Sequence, residues 1–348
     1  MSLRLRRDET TMNIMGIEFA PLRIPLARRL QTLAVLYYSS SFIFFGAGGI
    51  LLCIFMLFTR LYYLPILYAA WFAYDHSVCN KGGRPWKWVR NWRIWKYFRD
   101  YFPIRLVKTA ELDPNKNYIL GYHPHGIMCA GAFCNFATEG TNFSEIFPQI
   151  KPHLLTLECQ FLFPFHRELF LCSGACSVSK DSMEWLLTKE GKGNALVLVI
   201  GGAVEALDAH PGTVNLVLKR RKGFIRLALR HGVPLVPVFC FGENDLFDQV
   251  HNPDGSWLRK VQDKLTHRLG FSPPLFYGRG VFQYNVGYLP YRKPVTTVVG
   301  RPIDVEKNEN PTDEEVNSLH SRYMEELQNL FNEHKDKYGK PGLNLQIS

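Results

Sequence analysis

No CxxC pair, no HExxH motif and no GxSxG elbow occurs anywhere in the sequence. The first two absences argue against the usual zinc frameworks, and the third argues against a serine lipid hydrolase. The eight cysteines fall at irregular intervals, which argues against a secreted disulfide framework and fits small buried apolar side chains in a reducing compartment. Acidic residues are the scarcer charge, 31 against 41 Lys and Arg, and the net charge of +10 suits anionic lipid, a phosphorylated ligand or nucleic acid alike. No nucleic-acid module signature accompanies that charge, so no nucleic-acid partner is expected. No internal repeat or low-complexity linker divides the 348 residues, and the expectation is one catalytic domain with an anchor.

Charge itself is missing between Arg29 and Arg60. At about 1.5 Å per residue a straight helix over that stretch would outreach a hydrocarbon core of roughly 30 Å, so it must tilt or bend. Gly46, Gly48 and Gly49 sit near its middle, where missing side chains permit a break or close packing. A second uncharged stretch, Leu61 to Tyr74, contains Pro65 and is short for a span, so a hairpin that enters and returns is expected over residues 30–74. A cleavable signal peptide is disfavoured, because its apolar region would run only about 7 to 15 residues. Arg4, Arg6, Arg7, Arg23, Arg28 and Arg29 precede the hairpin, and Lys81, Arg84, Lys87, Arg90, Arg93 and Lys96 follow it. The positive-inside bias then puts both flanks, and the body, in the cytosol. The sequon Asn142-Phe143-Ser144 becomes a chance match on that topology. The expected organisation is a basic segment over 1–29, the hairpin over 30–74, an interfacial segment over 75–114 and a catalytic domain over 115–348. Within the interfacial segment, Trp86, Trp88, Trp92, Trp95, Tyr97, Phe98, Tyr101 and Phe102 alternate with basic residues, as in a helix lying in the plane of a lipid interface. A core helix with snorkelling charges is the alternative.

Beyond residue 115, apolar runs at Tyr118–Gly121, Ala195–Ile200, Pro234–Phe239 and Thr296–Val299 predict strands, and Lys180–Lys189, Lys222–His231 and Ser256–Leu269 predict helices. The alternation predicts an α/β domain with a largely parallel sheet and flanking helices. Thr312 and Glu315 form a capping-box pattern ahead of a helix whose apolar face is Val316, Leu319, Tyr323, Leu327 and Leu330.

Three constellations can carry chemistry. Tyr122-His123-Pro124-His125-Gly126 puts two histidines directly after an apolar strand, on a turn stiffened by Pro124, where α/β folds gather their active sites. A metal would need a third ligand that no nearby helix offers, so His123 and His125 read as catalytic rather than as ligands, with a structural pair satisfied by backbone groups as the alternative. A second apolar strand ends in Gly201, Gly202 and then Glu205, a carboxylate able to orient an imidazole or simply to sit at a helix start. The N–H groups of Gly201, Gly202 or Gly126 are candidates for stabilising an oxyanion. Third, Arg220, Arg221 and Lys222 before a helix suit phosphates or a solvated face, and Arg279 lies in a lone GxG.

Eight blocks in this order resemble the type-2 diacylglycerol acyltransferase family: YFP at Tyr101, LVKTAELDP at Leu106, YHPHG at Tyr122, IGGAVEAL at Ile200, RKGFIRLALRHGVPLVP at Arg221, FGENDLFDQ at Phe241, GRGVFQY at Gly278 and TTVVGRPI at Thr296. EFAPL at Glu18 and ARRLQTLAVL at Ala27 are most similar to the 2-acylglycerol O-acyltransferase branch. The resemblance implies transfer of an acyl group from acyl-CoA as co-substrate, with no separate cofactor. It implies two membrane segments with cytosolic termini in the endoplasmic reticulum, or on lipid droplets, and essential histidines at His123 and His125. The family's GGAxE glutamate corresponds to Glu205. Monoacylglycerol is the expected acceptor, with His125 as the preferred base. Diacylglycerol or a long-chain alcohol as acceptor, and a non-catalytic lipid-binding protein, are the alternatives. A homo-oligomer is left open.

Overall fold

The computed structural model describes residues 12–21, 23–253, 255–269 and 274–348. Arg4, Arg6 and Arg7 lie outside the described residues. Seven strands make one sheet: β1 (Arg105–Lys108), β2 (Tyr118–His123), β3 (Lys151–Thr156), β4 (Ala175–Ser177), β5 (Asn194–Val199), β6 (Leu235–Phe241) and β7 (Thr296–Val299), in the order β1-β7-β6-β2-β5-β3-β4. The run from β6 to β4 is parallel, while β7 pairs antiparallel with β6 and parallel with β1. The expected α/β architecture is therefore present, and all four predicted strands recur within two residues at each end. The other three strands of this sheet carry weaker signals. β3 begins Lys-Pro-His and β4 is Ala-Cys-Ser, small or polar residues with little strand signature.

The central strand β2 is buried along its whole length, as expected of a parallel strand covered on both faces. Side chains alternate across it. Tyr118, Leu120 and Tyr122 join a core with Trp95, Phe98, Phe133 and Phe136, whereas Ile119 faces a second core with Phe239, Phe241 and Tyr323. That second core is roofed by the C-terminal helix Asp313–Tyr338, whose capping box is formed in both directions. Its buried Val316, Leu319, Tyr323, Leu327 and Leu330 are the predicted apolar face, and burial of each larger side chain contributes about 1.5–3 kcal/mol.

At the amino-terminal side, helix α1 (Leu26–Ser40) continues through a wide-turn segment, Ser41–Ala47, into α2 (Gly48–Leu57), and α3 (Tyr63–Asp75) follows. No single described helix is long and apolar enough to cross a membrane. The pair Leu26–Ser40 and Phe44–Leu57 meets that test together, bent by 57°. The bend coincides with close packing at the predicted glycines. A Cβ on Gly49 would lie 3.0 Å from the Phe165 ring, and one on Gly46 would lie 3.4 Å from Phe163. α1 is partly a core helix, with Ala34 and Val35 fully buried beside α4 (Arg93–Tyr101), while Leu51, Phe55, Phe58 and Leu67 of α2, α3 and their connection are exposed. The aromatics of residues 85–102 divide in the same way. Trp95, Phe98, Tyr101 and Phe102 are buried in the body, and only Trp86 and Trp88 are largely exposed.

Candidate active site

The end of β2 at His123, rather than strand alternation, puts the two histidines in different places. His123, the last residue of β2, points to the same side as Ile119 and is sealed under the C-terminal helix. Its Nε2 lies 3.1 Å from the Tyr323 hydroxyl, which donates to the Gly121 carbonyl at 3.2 Å. A hydroxyl has one hydrogen to give, so Nε2–H donates to Tyr323 and His123 Nδ1 keeps a buried lone pair without a partner. Burial lowers the His123 pKa to about 3. Gly121 is obligatory beneath this contact, because a Cβ there would fall 2.0 Å from the tyrosine oxygen.

His125 lies past the strand end and is only partly buried. Its Nδ1 lies 2.8 Å from the Gly126 carbonyl, an oxygen that can only accept, so Nδ1 carries the proton and Nε2 is the basic nitrogen. Burial lowers its pKa, opposed by that hydrogen bond. Gly126 has φ +61°, and a Cβ there would meet the Glu243 side chain at 2.5 Å.

Glu205 does not touch either imidazole. Its Oε2 accepts the backbone N–H of His125 at 3.0 Å and its Oε1 accepts that of Val217 at 2.8 Å, so it orients the turn through the main chain. The carboxylate lies directly over Gly201, where a Cβ would collide with it, and Gly202 has φ +62° at the start of the short helix Ala203–Leu207. Burial raises the Glu205 pKa to about 7, against the Val217 and His125 N–H groups and the charge of Arg221.

Glu243, within the FGENDLFDQ block, carries no role in the resemblance. It follows β6 as Glu205 follows β5, and these are the two neighbours of β2 in the sheet. Its oxygens accept the N–H groups of Ala130 at 2.7 Å and Gly131 at 2.9 Å, and Tyr122 and Cys240 lie within 3.6 Å. Burial raises its pKa, too, to about 7. The available signal was a repeated pattern, an apolar strand, glycine and then an acid: two buried carboxylates brace the histidine turn from either side. The loop is also held from α1, where the Tyr38 hydroxyl donates to the Met128 carbonyl at 2.8 Å.

The basic run does not converge. Arg220 is exposed, Arg221 donates to the Gly201 carbonyl at 3.3 Å, and Lys222 reaches Asn317 at 2.6 Å. Arg279 is buried on a separate loop beside α1. Among the described residues no three His, Cys, Asp or Glu side chains are grouped as metal ligands.

The family described as diacylglycerol acyltransferase matches residues 54–348. The chain is 54% identical to 2-acylglycerol O-acyltransferase 1 of Bos taurus, over 94% of this chain and 98% of that one. It is 47% identical to diacylglycerol O-acyltransferase 2 of Homo sapiens, over 92% of this chain and 82% of that one. A crystal structure of PlsC, a 1-acyl-sn-glycerophosphate acyltransferase from Thermotoga maritima, aligns with 90% of this chain and 99% of that one at 14% identity and a TM-score of 0.38, a loose likeness. The chain belongs to the diacylglycerol acyltransferase family and is an acyltransferase.

Proposed function

We propose that this enzyme transfers a fatty acyl group from acyl-CoA to a hydroxyl of 2-monoacylglycerol, with His125 as general base. The observation that carries the mechanism is the His125 ring itself: Nδ1 is committed to the Gly126 carbonyl, and Nε2 has no protein partner among the described residues. In the reaction, Nε2 takes the hydroxyl proton as the oxygen attacks the thioester carbonyl. The tetrahedral centre collapses, the C–S bond breaks, and the imidazolium returns the proton to the departing thiolate. The thioester is already activated, so no acyl-enzyme is required, and burial holds the thiols of Cys129, Cys134 and Cys240 well above their ordinary range. Glu205 and Glu243 are positioning residues that hold the turn. N–H groups of Gly126, Gly201 and Gly202 are the candidates for receiving the oxyanion. Monoacylglycerol is favoured as acceptor by the 54% identity to a 2-acylglycerol enzyme, against 47% to a diacylglycerol one.

We further propose that α1 to α3 seat the body in the endoplasmic reticulum bilayer as a hairpin, with the catalytic domain and both termini cytosolic. The exposed apolar side chains of α2 and α3 support that placement, as does the basic charge on either flank. The test is an assay of purified protein with labelled oleoyl-CoA and competing mono- and dioleoylglycerol, in wild type, His123→Ala, His125→Ala and Glu205→Gln. His125→Ala is expected to lose about 10²–10⁴-fold in turnover. Wild-type turnover in all three variants would remove the site assignment, and a preference for dioleoylglycerol would change the acceptor.

A further inference from the structure

Four arginines are buried among the described residues, and three have a carboxylate: Arg90 pairs with Glu139, Arg167 with Asp75 and Arg259 with Asp208. Arg279 has none. It is 7% exposed, its Nε donates to the Gly280 carbonyl at 3.2 Å, and its guanidinium lies 4.6 Å over the Tyr284 ring. Main-chain bonds to Leu289 in both directions, at 2.7 and 2.8 Å, pin its backbone.

Two more arginines share this place. Arg292 lies 4.0 Å over the Tyr101 ring and donates to Gln31, to the Arg28 carbonyl and to Thr32 at 2.6, 2.9 and 2.9 Å. The Tyr101 hydroxyl donates to the Pro290 carbonyl at 2.6 Å, next to Leu289, the main-chain partner of Arg279, and burial raises its pKa against the charges of Arg279, Arg292 and Arg28. Burial lowers the Arg292 pKa to about 10, opposed by Tyr101 and reinforced by the charges of Arg28 and Arg279. No carboxylate pairs with any of the three among the described residues. Three cations drawn together and partly desolvated without a counter-ion are costly, and the cost is relieved by an anion of matching geometry. Planar guanidinium forks match phosphate oxygens.

We infer that Arg28, Arg279 and Arg292 form a phosphate-binding site, which on the acyl-CoA reading above holds the nucleotide end of the donor; a phospholipid headgroup offers the same chemistry. Its position suits the donor. Arg28 and Tyr38 stand ten positions apart on α1, about 15 Å along the axis, and Tyr38 holds the Met128 carbonyl of the histidine loop. An extended pantetheine arm can bridge such a gap between phosphates and thioester.

The test uses the full chain in nanodiscs, as wild type, Arg279→Gln, Arg292→Gln and Arg279→Lys, with 2-oleoylglycerol as acceptor. Each is assayed with oleoyl-CoA and with oleoyl-pantetheine, which lacks every phosphate. The ratio of the two kcat/KM values is expected to fall roughly tenfold or more in the glutamine variants, with the lysine variant between. A ratio unchanged in both glutamine variants overturns the donor assignment. A parallel arm measures binding to phosphatidylcholine vesicles with and without phosphatidic acid. Loss of anionic-vesicle binding with an unchanged ratio assigns the phosphate to lipid, and no change in either arm overturns the site. Where Arg279→Gln does not fold, Arg292→Gln and Arg279→Lys carry the comparison. A wild type without turnover would sink the acyl-transfer reading instead, and binding of adenosine 3′,5′-bisphosphate, expected in wild type and lost in Arg292→Gln, would then decide the site by itself.

Discussion

His125 and Glu205 divide the pH dependence between them. Burial keeps the imidazole below its ordinary value, so the base is already neutral across the physiological range. Glu205 titrates at about 7, and its ionised form is the better acceptor for the His125 N–H. The acid limb of kcat/KM is therefore expected near pH 7 and to belong to the carboxyl. In Glu205→Gln the overall rate falls and the remaining limb moves below about 6.5, where the imidazole protonates. A limb that stays near 7 in that variant would assign it elsewhere.

At the scale of elements, the amino-terminal helices are attached to the body by a buried ion cluster. Arg167 is fully buried and donates to the Asp75 carboxylate at 2.6 Å and to its carbonyl at 2.7 Å, while Arg84 reaches the same carboxylate at 2.8 Å. Asp75 is the last residue of α3, so the cluster determines how the hairpin leaves the body. Removing the Asp75 carboxylate leaves the buried Arg167 guanidinium with Glu168, at 2.6 Å, as its remaining carboxylate. Asp75→Ala is expected to destabilise by about 1.5–3 kcal/mol, read as a lower unfolding midpoint, whereas Lys180→Ala, in an exposed pair with Glu184, changes stability by about 0–1 kcal/mol. Equal effects from the two would show that the cluster is not what anchors α3.

For the whole molecule, Glu205 and Glu243 are protonated more readily in the folded state, at about 7, than a free glutamate at about 4.3. A folded pKa above the unfolded one means that their contribution to stability is complete below about 4.3 and is lost as pH rises through about 7. His123 acts in the opposite sense: with a folded value of about 3, its contribution is present above about 6.5 and is lost as pH falls. Glu243→Gln removes one term and leaves the others. The unfolding midpoint of wild type minus that of the variant is expected to fall between pH 5 and 8, and a flat difference would contradict the buried-carboxyl account.

What the sequence determined by itself is local or periodic. Apolar strands, the 3.6-residue face under Thr312 and the stiff turn at Pro124 are written in neighbouring residues, and so is the family resemblance carried by contiguous blocks. The sequence pattern put His123 beside His125 on one turn, and only the fold shows its ring buried against Tyr323. The tertiary structure decided everything that joins distant positions. His125 meets Glu205 80 residues away, Ala130 meets Glu243 113 residues away and His123 meets Tyr323 200 residues away. No periodicity encodes such pairings, because they arise only when parallel strands bring their carboxyl ends to one edge of the sheet and the helix Asp313–Tyr338 lies over its face. Arg28, Arg279 and Arg292 come from α1 and from the loop ahead of β7, which meet where Arg292 donates to the Arg28 carbonyl, while Arg220, Arg221 and Lys222, adjacent in sequence, were turned in different directions by the start of a helix.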